Sequence, residues 1–343
     1  MAIPLVCKPS DSAATPLDTA DGTFPSADII TAPAELCRLL GLDATVTSDA
    51  EEPARQFPML VPRALLSRIA PGDASDPILR QVLPRPDELV SVEGFSTDPV
   101  EEVTGACTPG LLRKYPGRSL MVASACCGVH CRYCFRRHFP FASGTAAVDD
   151  WRPALAAIAR DDSTHEIILS GGDPLTLADQ ELGRLADRLA AIPHLRRLRV
   201  HTRMPVVVPD RVGPALTAWL RGTRLSPVVV VQVNHAAELD TTAGSALGRL
   251  VDAGVPVLSQ SVLLRGVNDS ADALITLLTR LVELRVMPYY LHQLDRVAGA
   301  AHFEVPAARG ESLVAAIRAR LPGYAVPRYV CQPPSGPSKR VLA

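Results

Sequence analysis

The sequence predicts an α/β protein: an open, partial (β/α)6 barrel with a small helical N-terminal region and a C-terminal tail. Three observations carry this. From residue 119 onward, six β-rich runs alternate with amphipathic helical stretches, and such alternation with strongly apolar strands means a parallel sheet with helical crossovers. Six units fall short of the eight that close a barrel. The polar groups that stand out follow the strands, where barrels of this kind carry their chemistry: four clustered cysteines, then Gly171–Asp173, Arg203, Asn234–His235, Asp269 and Asp295.

Taken in order, residues 1–30 are rich in Ser, Ala, Asp, Thr and Pro without periodicity and read as a mobile arm. Residues 31–118 carry short helical patterns, "PAELCRLLGL", "RALLSRIA" and "DPILRQVL", punctuated by prolines, and read as a small helical region. Strands are expected at 119–125, 166–172, 198–203, 228–235, 255–264 and 289–294. The intervening helices present Leu182, Leu185, Leu189 and Ile192, then Val212, Leu216 and Trp219, then Leu247, Leu250 and Val251, then Leu274, Leu278 and Leu281. Gly254 reads as the glycine that stops the third of them. The barrel is expected over 119–300 and a C-terminal segment over 301–343.

Composition narrows the function. The chain has 343 residues, 47% hydrophobic, with a formal net charge of -1. Without a basic excess there is no case for nucleic acid. No uncharged apolar run approaches the ~18 residues of a membrane span, and the N-terminus lacks a signal-peptide pattern. A cytoplasmic protein is therefore expected, and in that reducing compartment clustered cysteines are ligands or catalysts before they are disulfides. Cys7, Cys37, Cys107 and Cys331 are scattered and read as small buried or free thiols.

The cluster itself is "ACCGVHCRYCFRRHFP", residues 125–140. Cys127, Cys131 and Cys134 make C-x3-C-x2-C directly after the first strand. A zinc site wants four ligands, usually as two separated pairs. The spare thiol, Cys126, adjoins Cys127 and reads as a bystander that ends the strand. Three thiols on one tight loop better suit a 4Fe–4S cluster whose fourth iron stays open to a small ligand. With an aromatic, Tyr133, before the last cysteine, the loop resembles that of radical S-adenosylmethionine (SAM) enzymes. "SGGDP" ends the second strand. Gly171 and Gly172 allow a close backbone approach, and Asp173 adds a carboxylate. In radical SAM enzymes this segment receives the amino group of the methionine moiety.

"CGVHCRYCFRRHFP", "SGGDPL", "SVLLRGVND", "MPYYLHQLD" and "GAAHF" together resemble the lysine 2,3-aminomutase family, over about residues 31–339. The likeness is strongest to its short EpmB branch, which makes β-lysine for elongation factor P. The resemblance implies a TIM-like radical SAM partial barrel and three cofactors: a 4Fe–4S cluster, SAM and pyridoxal 5′-phosphate. It implies an isomerase that converts L-lysine to β-lysine, fed by an electron donor such as flavodoxin or ferredoxin, with self-association left open. Lys339, in "PPSGPSKR", matches the Schiff-base lysine. Lys114 and Arg118 match basic positions that contact the cofactor phosphate. Arg136 matches the arginine that grips the substrate α-carboxylate, a bidentate task suited to guanidinium, while Arg137 reads as solvated charge. Asp269, in "GVND", matches a carboxylate for the substrate's distal ammonium, or else caps the helix near Ser270.

The chain also departs from the family. Gln332 stands seven residues before Lys339, where the family carries an acidic residue, and a neutral amide is a poorer partner for a buried ammonium. Arg340 follows Lys339 where Thr is usual. The zinc-bearing extension of longer members is missing, so no zinc is expected. Two other readings stay open: an aminomutase for another amino acid, and a radical SAM protein without pyridoxal phosphate.

Overall fold

The computed structural model describes residues 29–103, 108–141, 148–334 and 338–343. Nearly all of the arm expected over 1–30 lies outside these residues, as do Cys7 and Cys107.

Ile29–Ile30 (β1) pairs antiparallel with Val61–Pro62 (β2). Among the described residues, all other strands form one sheet of nine. Seven run parallel in chain order: Arg118–Ser124 (β4), Glu166–Gly171 (β5), Arg197–Thr202 (β6), Ser226–Gln232 (β7), Val257–Val262 (β8), Met287–His292 (β9) and Arg328–Cys331 (β10). Leu111–Tyr115 (β3) and Arg340–Val341 (β11) add antiparallel to the two edges and do not meet, so the barrel is open.

The six expected strands are β4–β9. The seventh parallel strand comes from the segment read as a tail. β10 is four residues long between prolines at 327 and 333, too short for a period to show. β11 exists only through its pairing, Val330 with Val341.

Side chains alternate across each strand. Ile167 and Leu169 on β5, Leu198 and Val200 on β6, Val229 and Val231 on β7 and Leu291 on β9 face outward into one apolar core with the helices. The other face is polar: Ser170, Arg199, His201, Gln232, Gln260, Tyr290 and His292 line an interior cavity of about 1010 Å³. The barrel therefore encloses a site instead of filling itself with side chains.

The anticipated helical faces are buried, as at Leu182, Leu185, Leu189, Leu247, Leu250, Leu274, Leu278 and Leu281. Gly254 (φ 78°) ends helix Thr241–Asp252 as read: its N–H bonds Val251 O and that of Val255 bonds Leu250 O, satisfying two terminal carbonyls. Helix Ala44–Gln56 was not anticipated, because it buries only Ala50 and Pro53. The N-terminal residues Ile30, Leu36, Met59, Leu65, Ile78 and Val82 form a second core that includes Val129 of the cysteine loop. Among the described residues, no helix is long and apolar enough to cross a membrane.

Candidate active site

The cysteine loop leaves the end of β4 and is held by buried charge. Arg132 is fully buried, donating Nε and Nη2 to Glu88 (2.8 and 2.6 Å) and Nη1 to Phe57 O (2.8 Å). Arg137 donates to the same carboxylate (2.8 Å) and to Gly299 O (2.9 Å), so it is not the solvated charge expected. Two guanidinium groups thus clamp the loop to the N-terminal region through Glu88.

Cys127, Cys131 and Cys134 are free thiols lining the cavity. Burial, with the neighbouring sulfurs, pushes the Cys127 thiol well up and Cys134 up to about 11. A bound cation reverses this by stabilising thiolates. Among the described residues, no set of three or more His, Cys, Asp or Glu side chains closes on a point as a single ion requires. Cys126 is disulfide-bonded, which corrects the reading of an idle thiol and leaves the other three for ligation.

Against the start of the loop, Gly171 (φ 121°) and Gly172 have no room for a side chain. A Cβ on Gly172 would lie 2.1 Å from Cys126 O. The Asp173 carboxylate lines the cavity but is fully engaged. It accepts from Leu175 N (3.0 Å), Thr202 Oγ1 (2.8 Å) and Arg203 N (2.6 Å), and so splices the ends of β5 and β6. Arg203 donates to Cys131 Sγ (2.7 Å), Gln81 Oε1 (2.8 Å) and Glu238 Oε2 (2.9 Å). Tyr133 is buried edge-on to Phe303.

Further into the cavity lies a set of charges. Arg136 is bound bidentately by Glu102 (Nε–Oε2 2.6 Å, Nη2–Oε1 2.8 Å). Lys339 donates to Gln332, and burial lowers its pKa to about 8 against the pull of Asp295. Asp295 is itself pushed up to about 6 by burial. Lys114 donates to Val100 O (2.9 Å), and Arg118 lies over the Tyr115 ring. His292, lowered to about 3 by burial and Lys339, and His201, well below its usual value, are neutral imidazoles.

Of the residues singled out in the sequence, Cys127, Cys131, Cys134, Tyr133, Gly171, Gly172, Asp173, Lys114, Arg118, Arg136 and Lys339 share this cavity. Asp269 does not line it; the charge beside it is Arg80. Nor does it cap the next helix, which Ser270 does. Tyr289, Tyr290, His292 and Asp295 line the cavity as well. The sequence reading missed Glu102, Gln232, Gln260 and His201. The signal was available for the last three: polar residues at alternate positions of otherwise apolar strands.

An open parallel barrel with C-x3-C-x2-C at the end of its first parallel strand defines a radical SAM enzyme. Comparison with known proteins narrows the class. The chain is 44% identical over 317 residues to the L-lysine 2,3-aminomutase of Escherichia coli K12, covering 92% of each chain. It is 41% identical over 287 residues to that of Haemophilus influenzae, covering 84% of this chain and 85% of the relative. It is 35% identical over 305 residues to that of Clostridium subterminale, covering 86% and 72%. The chain belongs to the lysine 2,3-aminomutase family, which uses a 4Fe–4S cluster, SAM and pyridoxal phosphate. No family model matches it. A solved radical SAM methyltransferase from Sphaerobacter thermophilus superposes at a TM-score of 0.44 with 20% identity, over 64% of this chain and 68% of that one.

Proposed function

We propose that this protein is an isomerase that moves the α-amino group of free L-lysine to Cβ, giving β-lysine. The observation that carries the reading is one cavity joining three free thiols, a guanidinium fork and a buried lysine of lowered pKa. When bound, the family's cofactors supply an organic radical and an electron sink.

The chain's own residues divide the remaining tasks. Cys127, Cys131 and Cys134 hold the cluster, and the backbone at Gly171–Gly172 borders the SAM side. Lys339 anchors pyridoxal phosphate: desolvation leaves a usable neutral fraction of its amine near neutral pH, as a nucleophilic lysine needs. Lys114 and Arg118 receive the phosphate. Arg136 takes the α-carboxylate. Asp295, in place of Asp269, takes the distal ammonium, because it is the buried carboxylate beside Lys339. Neutral His201 and His292 keep further charge out of the cavity.

A flavodoxin or ferredoxin as donor, elongation factor P as destination of the product, and a cytoplasmic setting belong to the same proposal. Gln332, a neutral amide on Lys339, favours a second reading: a 2,3-aminomutase for another amino acid.

Anaerobic reconstitution tests both. Iron and sulfide should be bound, and borohydride should fix pyridoxal phosphate on Lys339. With reduced cluster and SAM, L-lysine should yield β-lysine from a panel of amino acids. A cluster-bearing protein that never attaches the cofactor at Lys339 sinks the assignment. A β-isomer of another amino acid alone establishes the second reading.

A further inference from the structure

Arg136 already holds a carboxylate. Its guanidinium carries five N–H donors. Nε and one N–H of Nη2 go to Glu102, while Nη1 donates to Ser170 Oγ (3.0 Å) and Gly171 O (3.3 Å). Four of the five are in use, so a second carboxylate cannot take a bidentate grip while Glu102 stays.

The two partners are held unequally. Arg136 sits on the clamped cysteine loop with its side chain 7% exposed. Glu102 sits on a surface segment between exposed Glu101 and Val103. Glu101 has a φ of 55°, a left-handed conformation that L-residues adopt only under constraint. The segment is tied by Asp98, which accepts from Glu102 N (2.9 Å) and Val103 N (3.0 Å). A second cation waits beside it: Lys114 grips Val100 O, two residues before Glu102, and of the carboxylates acting on its ammonium Glu102 acts most strongly.

We propose that Glu102 is a place-holding carboxylate that sets substrate specificity, occupying the Arg136 fork until an α-carboxylate displaces it toward Lys114. The inference rests on the reading that Arg136 receives the substrate carboxylate. Until then Glu102 neutralises a buried guanidinium that would otherwise stand unpaired in an open cavity. Exchange is charge-for-charge, so an α-amino acid can complete it. A ligand of the same shape without the carboxylate, such as lysinamide, cannot.

The test is calorimetric titration of L-lysine and L-lysinamide into the cofactor-loaded, unreduced enzyme. Glu102→Gln replaces the charged competitor by a weaker neutral one and should tighten lysine binding about tenfold, with lysinamide affinity unchanged. Glu102→Asp, which keeps the charge but shortens its reach, should fall between. Lysine binding that is unchanged or weaker in Glu102→Gln overturns the proposal and makes Glu102 a buttress that aims Arg136. Arg136→Gln reports on the underlying reading. It should lose the preference for lysine over lysinamide, and an undiminished preference would remove Arg136 from the site altogether.

Discussion

A lysine placed for chemistry should cost the fold stability, and Lys339→Met tests this. Burial lowers the Lys339 pKa from the ordinary 10.5 to about 8, a depression worth about 3 kcal/mol at 1.36 kcal/mol per unit. The sign follows from proton counts: between pH 8 and 10.5 the unfolded chain holds the proton and the folded chain does not. The penalty is therefore full below about pH 8 and fades as pH rises toward 10.5. Removing the ammonium also strips Asp295 of a partner, and Lys339 keeps some contact with solvent. Together these reduce the expected gain to about 2 kcal/mol at pH 7. Urea denaturation of protein free of pyridoxal phosphate, at pH 7 and pH 10, reads both numbers. Lys339→Met should be the more stable at pH 7, with the difference shrinking below about 1 kcal/mol at pH 10. A variant no more stable than the parent at pH 7, or a difference independent of pH, would refute the reasoning.

Other outcomes follow from the site. Cys127→Ala should lose the reconstituted iron, whereas Cys126→Ala should keep it, because Cys126 is already in a disulfide. Glu88→Ala leaves Arg132 and Arg137 buried without their shared counter-ion and should cost about 3–5 kcal/mol in denaturation. Asp295→Asn should raise the KM for lysine at least about thirtyfold by removing a buried charge partner. Asp269→Asn, outside the cavity, should leave it near the parent value.

How much could be read from the sequence depended on whether a feature was local. The cysteine spacing, "SGGDP" and the six strands each lie within a few consecutive residues, and all appear where expected. The errors concern partners that are distant in sequence. Arg137 looked solvated because Glu88, 49 residues away, cannot be paired with it by pattern. Glu102 was not singled out because its partner Arg136 lies 34 residues on, where only the fold brings the two together. Asp269 and Asp295 both follow strands, and only Asp295 lines the cavity. β10 was missed because four residues are too few for a period to show, and β11 because a two-residue strand has no signal apart from the neighbour it pairs with.

The two ends of the cavity are built to different standards of rigidity, and the chemistry explains why. At the cluster end, Arg203 and Glu238 form a buried network with Gln81, Asn234 and Cys131. Apart from Arg203 Nε, which is buried without a partner, these groups bond one another, so movement of any one leaves a further desolvated polar atom unpaired. Such an end resists opening, as the site of a reactive radical must if solvent is to be excluded. At the other end, Lys339 hangs from a two-residue edge strand whose residues are both exposed. The carboxylate on Arg136 belongs to a surface segment. Both are carried by exposed backbone at the edge of the structure, which is where low-stability segments are found. Substrate exchange needs just that: an amine and a carboxylate must leave their resting partners while the thiols stay fixed.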